Sequence, residues 1–209
     1  MTQRWRSIVL IMGVGLGLLA GGCAKPPEDD LARAEEALQA VRDAEGATYA
    51  KASLRDVAVA LRAAQLEVET QKERFAILRN YDDAKQKLKI TMEKAAAART
   101  EAVEAKEAAR VEAEDRLEKA RAALAAAESS LEEAPRGKGT KADIAALESD
   151  VEGIKTQIAA LEGQIAAEEY LDAQDKAGSI ITAANEVTAE IQAAIDMQAK
   201  LMEERRTRR

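Results

Sequence analysis

The chain has no histidine, and its single cysteine is Cys23. Zinc sites are built mainly from imidazoles and thiolates, so the usual donor sets cannot be assembled from one copy. General-base candidates reduce to carboxylates, and no nucleophile–base pair is readable. Gly153 and Gly163 stand singly inside helical pattern, so no glycine-rich loop for phosphate is present. Aromatic residues make up 2% of the chain, and the only tryptophan is Trp5. These absences point away from an enzyme and away from any cofactor. The acidic balance excludes a further class. The net charge is −7, and removing Arg4 and Arg6 from the 31 basic residues leaves 29 against 38 acidic ones. Such a surface is a poor match for nucleic acid, whose phosphates supply most of the binding energy to basic proteins.

What is present is a helical vocabulary of Ala, Glu, Lys, Leu and Arg, which predicts an all-α fold with narrow buried seams. The strongest periodicity lies between Ala113 and Ile165. Ala113, Leu117, Ala120, Leu124, Ala127 and Leu131 recur at steps of four and three. Ile144, Leu147, Val151, Ile154, Ile158, Leu161 and Ile165 do the same. That is the seam spacing of a coiled coil. Pro135, Gly137 and Gly139 separate the two seams, where proline stops a helix and glycine permits the reversal. The expected product is an antiparallel hairpin over 111–168 with its tip at 135–140, in which Leu131 faces Ile144, Leu124 faces Val151 and Leu117 faces Ile158.

The N-terminus reads as a leader. Arg4 and Arg6 precede an apolar run from Ser7 to Ala20, which is too short to span a bilayer comfortably. It closes on Leu19-Ala20-Gly21-Gly22-Cys23, which resembles a bacterial lipobox. That resemblance implies removal of 1–22, acylation of Cys23, and attachment to the periplasmic face of the outer membrane through several acyl chains. Residues 23–27, with Pro26 and Pro27, then form a short extended tether.

Between tether and hairpin, the pattern predicts a first helix from Glu28 that Gly46 ends. A second is capped by Ser53 with Asp56 and carries Leu54, Val57, Leu61, Ala64, Val68, Phe75 and Leu78 on one seam, interrupted only by Gln71. Asn80-Tyr81-Asp82-Asp83 breaks the register, and a new seam runs Tyr81, Ala84, Leu88, Thr91, Ala95, Ala98 and Ala102. The same offsets return at Tyr170, Ala173, Ala177, Ile180, Ala184, Val187 and Ile191, the mark of an internal duplication of a helix–break–helix unit. From Ile180 onward Ile181, Ile195 and Met202 widen the apolar face, which calls for more than one neighbour.

Residues 31 to about 105, through Ala44-Glu45-Gly46-Ala47, Tyr49-Ala50 and Asn80-Tyr81-Asp82-Asp83-Ala84, resemble the DUF4398 family of bacterial envelope lipoproteins. The resemblance implies a helical fold and an envelope location, and no mechanism. The expected architecture is an elongated helical bundle over 28–110, completed by 169–206, from which the hairpin protrudes.

Two functions fit. One is a structural or scaffolding lipoprotein that presents a coiled-coil stalk to a helical protein partner or to peptidoglycan. The other is an adaptor-like part of an envelope transport or efflux assembly. A homo-oligomer is compatible with either. Arg136, Lys138 and Lys141 at the tip are candidates for contact with an acidic partner. Arg205, Arg206, Arg208 and Arg209 are candidates for contact with a membrane surface, expected beside Cys23.

Overall fold

The computed structural model describes residues 24–134 and 141–208, with side chains from Ile144 onward in the second stretch. Among these residues the fold is all-α: α1 (Glu28–Asp43), α2 (Gly46–Tyr49), α3 (Lys51–Lys72), α4 (Asp82–Glu133), α5 (Lys141–Ala166) and α6 (Tyr170–Thr207), with a 3₁₀ turn at Ala76–Leu78 and no strand. The chain divides into two compact units between Val103 and Glu104, and α4 contributes to both.

The first unit is a three-helix bundle of α1, α3 and the beginning of α4. Glu28, Asp29 and Asp30 open α1, where acidic side chains oppose the positive end of the helix dipole. The core joins Ala34, Leu38 and Val41 of α1, Val57, Leu61 and Ala64 of α3, and Leu88, Ala95 and Ala98 of α4. Alanine at so many of these positions lets the helix axes approach closely, with little area buried by each residue. Polar contacts fix the directions. Gln65 donates to Glu35 across α1 and α3. Lys87 pairs with Glu67 at 2.8 Å, and Ser53 donates to Glu101, so α3 and α4 run antiparallel.

Two expectations change here. The helix α1 ends because Glu45 takes a left-handed conformation, with φ of 58°, while Gly46 opens α2 and is buried. Ser53 does not cap α3. The helix starts two residues earlier, with the Leu54 amide bonded to the Ala50 carbonyl, which frees the Ser53 hydroxyl for Glu101.

The second unit is built from α4 beyond Val103, α5 and α6. Lys155 pairs with Glu128 at 2.9 Å and Arg121 with Glu162 at 2.6 Å, so α4 and α5 run antiparallel as the seams predict. On α5 the expected positions Ile144, Leu147, Val151, Ile154, Ile158 and Leu161 are buried, and Ile165 is half-buried. On α4 the buried set is Ala113, Leu117, Ala120, Ala127 and Ala134, and Leu124 and Leu131 are half-buried.

The difference lies in α6. Glu168 adopts φ of 63°, its amide bonds the Ile165 carbonyl, and the Glu169 amide bonds the Gln164 carbonyl. This is a Schellman termination, which satisfies the last carbonyls of α5 and turns the chain back. Glu168 meets Lys106, while Gln174 donates to the Ala109 carbonyl at 2.8 Å and accepts on its own carbonyl from Arg116. From there α6 packs along α5 within the second unit. The sequence reading assigned 169–206 to the bundle of the first helices. The Glu168 reversal instead places α6 against α5, which gives its wide apolar face two neighbours.

The duplicated pattern is therefore a duplicated role. Tyr81, Ala84, Leu88, Thr91, Ala95, Ala98 and Ala102 are buried in the first unit. Their counterparts Tyr170, Ala173, Ala177, Ile180, Ala184, Val187 and Ile191 are buried in the second. Each series lines the third helix of an up–down–up bundle.

Candidate functional site

The most unusual surface lies where α3 gives way to α4. The expected seam continues through Phe75 and Leu78, yet α3 stops at Lys72. Arg79 accounts for this. Its Nη2 donates to the Lys72 carbonyl at 2.9 Å and its Nε to the Arg74 carbonyl at 3.0 Å, filling acceptors that a continuing helix would use itself. Phe75 then turns to extended backbone, with ψ of 138°, and the Leu78 amide closes on its carbonyl. As a result Phe75, Ile77 and Leu78 are 82%, 88% and 62% exposed.

Behind this loop the packing is tight, and the buried polar groups other than the Tyr81 hydroxyl are paired. Gln71, the one polar residue on the α3 seam, is buried because it has partners. Its Nε2 donates to Glu67 at 3.0 Å, and its Oε1 accepts the Asn80 amide at 3.2 Å. The bond from Gln71, and then the Lys87 ammonium, hold the Glu67 carboxyl below the ordinary carboxylate range. Asn80 Oδ1 accepts the Asp82 amide, which starts α4. Thr91 is buried on the same helix, and its hydroxyl is satisfied by the Lys87 carbonyl. Tyr81 is 2% exposed, and its hydroxyl is buried without a hydrogen-bond partner.

Ala24 packs against the cluster of Val68, Tyr81 and Ala84. The chain therefore enters the first unit beside the α3–α4 loop. The start of α1 lies at this end too, close enough for the Glu28 charge to contribute to raising the Lys72 pKa, which the bond to Glu69 chiefly raises.

The residues singled out from sequence fall elsewhere. Cys23, Arg136, Lys138 and Arg209 lie outside the described residues, and of Lys141 only its place as the first residue of α5 is described. Arg205, Arg206 and Arg208 are exposed and, with Met202, line an open depression. They were expected beside Cys23. Cys23 lies outside the described residues, and within the second unit these arginines stand in and just after the last turn of α6. The last buried residue of α6 is Ile191, about 32 Å from Tyr170 along the helix axis. Among the described residues no group of His, Cys, Asp and Glu is placed to hold a metal ion, and no helix is long and apolar enough to cross a membrane.

Sequence reasoning missed the exposure of Phe75, Ile77 and Leu78. The signal available was Arg74 and Arg79 bracketing a short apolar run directly before an Asn–x–Asp start. No protein-family model matches this chain, and no curated protein or solved structure proved similar to it.

Proposed function

We propose that the protein is a non-enzymatic lipoprotein of the outer membrane that acts as a structural scaffold on the periplasmic face. The observation that carries this reading is the lipobox-like Leu19-Ala20-Gly21-Gly22-Cys23, followed at once by Ala24 packed into the first unit. With Ala24 held this way, an acylated Cys23 would set the first unit directly at the bilayer. Several acyl chains give stable anchoring where one is marginal, at about 0.8 kcal/mol per buried methylene. The likeness of residues 31 to about 105 to the DUF4398 lipoproteins supports the same location.

The partner in this reading, either a helical protein or peptidoglycan, is met through the coiled-coil hairpin, with Arg136, Lys138 and Lys141 as the basic contact residues. The antiparallel pairing of α4 with α5 also favours an adaptor role in an envelope transport assembly, because such proteins meet helical partners through hairpins. Anchoring is tested by Cys23→Ser, which should remain unprocessed or leave the outer-membrane fraction. Cleavage and fractionation as in the wild type would refute the lipobox. Photo-crosslinking from positions 136, 138 and 141 in intact cells, read by mass spectrometry, separates the partners. Peptidoglycan or an abundant envelope protein supports the scaffold, and components of a transport complex support the adaptor.

A further inference from the structure

Phe75, Ile77 and Leu78 put three large apolar side chains into solvent within four positions. Single exposed apolar residues are ordinary on any protein, whereas a contiguous group marks an interaction surface. The group is held outward by structure. Arg79 binds the Lys72 and Arg74 carbonyls, Leu78 closes on Phe75, and Asn80 closes on Gln71.

Two further observations indicate what covers it. Ala24 packs on Val68, Tyr81 and Ala84, at the end of the unit from which the loop springs, so the chain leads back to Cys23 from beside the loop. In addition, Arg74 and Arg79 bracket the apolar group, Arg79 holding the loop's own carbonyls while Lys72 is paired with Glu69. An aromatic and two aliphatic side chains flanked by cations are the composition that settles at the boundary between headgroups and acyl chains.

We infer that the α3–α4 loop is a lipid-contacting wedge. Phe75, Ile77 and Leu78 enter the interfacial layer of the same bilayer that holds the acylated Cys23, and Arg74 lies among the headgroup phosphates. The anchor then tethers while the wedge orients, giving the first unit a second point of contact. This rests on the reading of the N-terminal segment as a membrane anchor, and the test keeps the two apart.

Phe75→Trp puts a reporter at the wedge. Val59→Trp puts a matched one on an exposed position of α3, about 20 Å from its end at Lys72. Acylated mature chains of both variants, which begin at Cys23 and so lack Trp5, are mixed with vesicles of phosphatidylethanolamine and phosphatidylglycerol that carry lipids brominated high on the acyl chain. Flotation reports the anchor, and quenching reports the wedge. The wedge predicts that the indole at position 75 shifts to the blue and is quenched several-fold more than the one at 59 in the floated fraction. Flotation with equal quenching at the two positions would overturn the wedge and leave the anchor standing. No flotation would overturn the anchor, and the wedge with it. In Phe75→Trp protein lacking residues 1–23, and so without Trp5 or the apolar leader, iodide should reach the indole at 75 freely in the absence of vesicles. Protection there would mean that a second copy of the chain covers the loop, which also overturns the proposal.

Discussion

Gly46 and Val41 touch so closely that a methyl group would not fit between them. A Cβ on Gly46 would stand 2.7 Å from both Cγ1 and the carbonyl oxygen of Val41, one contact with a stiff β-branched side chain and one with backbone. Val41 is itself fully buried in the core of the first unit. The glycine of Ala44-Glu45-Gly46-Ala47 is thus required for close packing, while the left-handed position is taken by Glu45. Gly46→Ala should cost about 1–3 kcal/mol through the shift it forces on the α1–α2 turn. Chemical denaturation would show the loss, and hydrogen exchange should place it in α1. An unchanged midpoint would mean that the turn yields freely.

Tyr81 offers the opposite sign. Its hydroxyl is buried with no partner, so the folded state carries its desolvation without a compensating bond. Tyr81→Phe keeps the ring against Val68 and Ala84 and removes the polar atom. Stability should be unchanged or rise by up to about 1 kcal/mol. A clear loss in thermal melting would show that the hydroxyl has a partner in solution.

Acid should loosen the contact between α3 and α4. Gln71 first, and then Lys87, lower the Glu67 pKa in the folded state. A carboxylate depressed in this way stabilises the fold above its unfolded pKa, and the contribution is lost as the pH falls through the folded value. Lys87→Met leaves the Gln71 bond and removes the cation. The variant should therefore be less stable than wild type near neutral pH, and the gap should narrow as the pH drops below about 4. Urea midpoints taken at both ends of that range decide it, since a constant gap would show that Lys87 does not act through the Glu67 charge.

Much of this architecture was legible in the sequence where side-chain period alone decides. The α5 seam and the two series starting at Tyr81 and Tyr170 were read correctly because burial on a helix follows spacing of three and four. Turns were read less well. Glutamate is not a residue that signals a left-handed conformation, so neither Glu45 nor Glu168 announced a reversal. The end of α3 depends on Arg79 reaching back to Lys72, a contact that no local pattern encodes. The course of α6 was hidden for a related reason. Its apolar face has the same period whether the helix continues past α5 or folds back on it, and only the Glu168 turn chooses.

That turn can be tested directly. Glu168 holds φ of 63°, where a Cβ is unfavourable and glycine is at ease, and its carboxylate forms an ion pair with Lys106. The carboxylate is 61% exposed, and exposed pairs contribute between nothing and about 1 kcal/mol. Relief of the left-handed strain is worth about as much, so Glu168→Gly should leave stability near or slightly above that of wild type. Glu168→Val loses the same ion pair and adds a β-branched side chain at positive φ, which should cost about 1–2 kcal/mol. The two variants differ only in what they ask of the backbone. If they melt together, Glu168 is not left-handed in solution and α6 need not fold back. If glycine melts above valine by several degrees, the reversal that builds the second unit stands on this one residue's conformation.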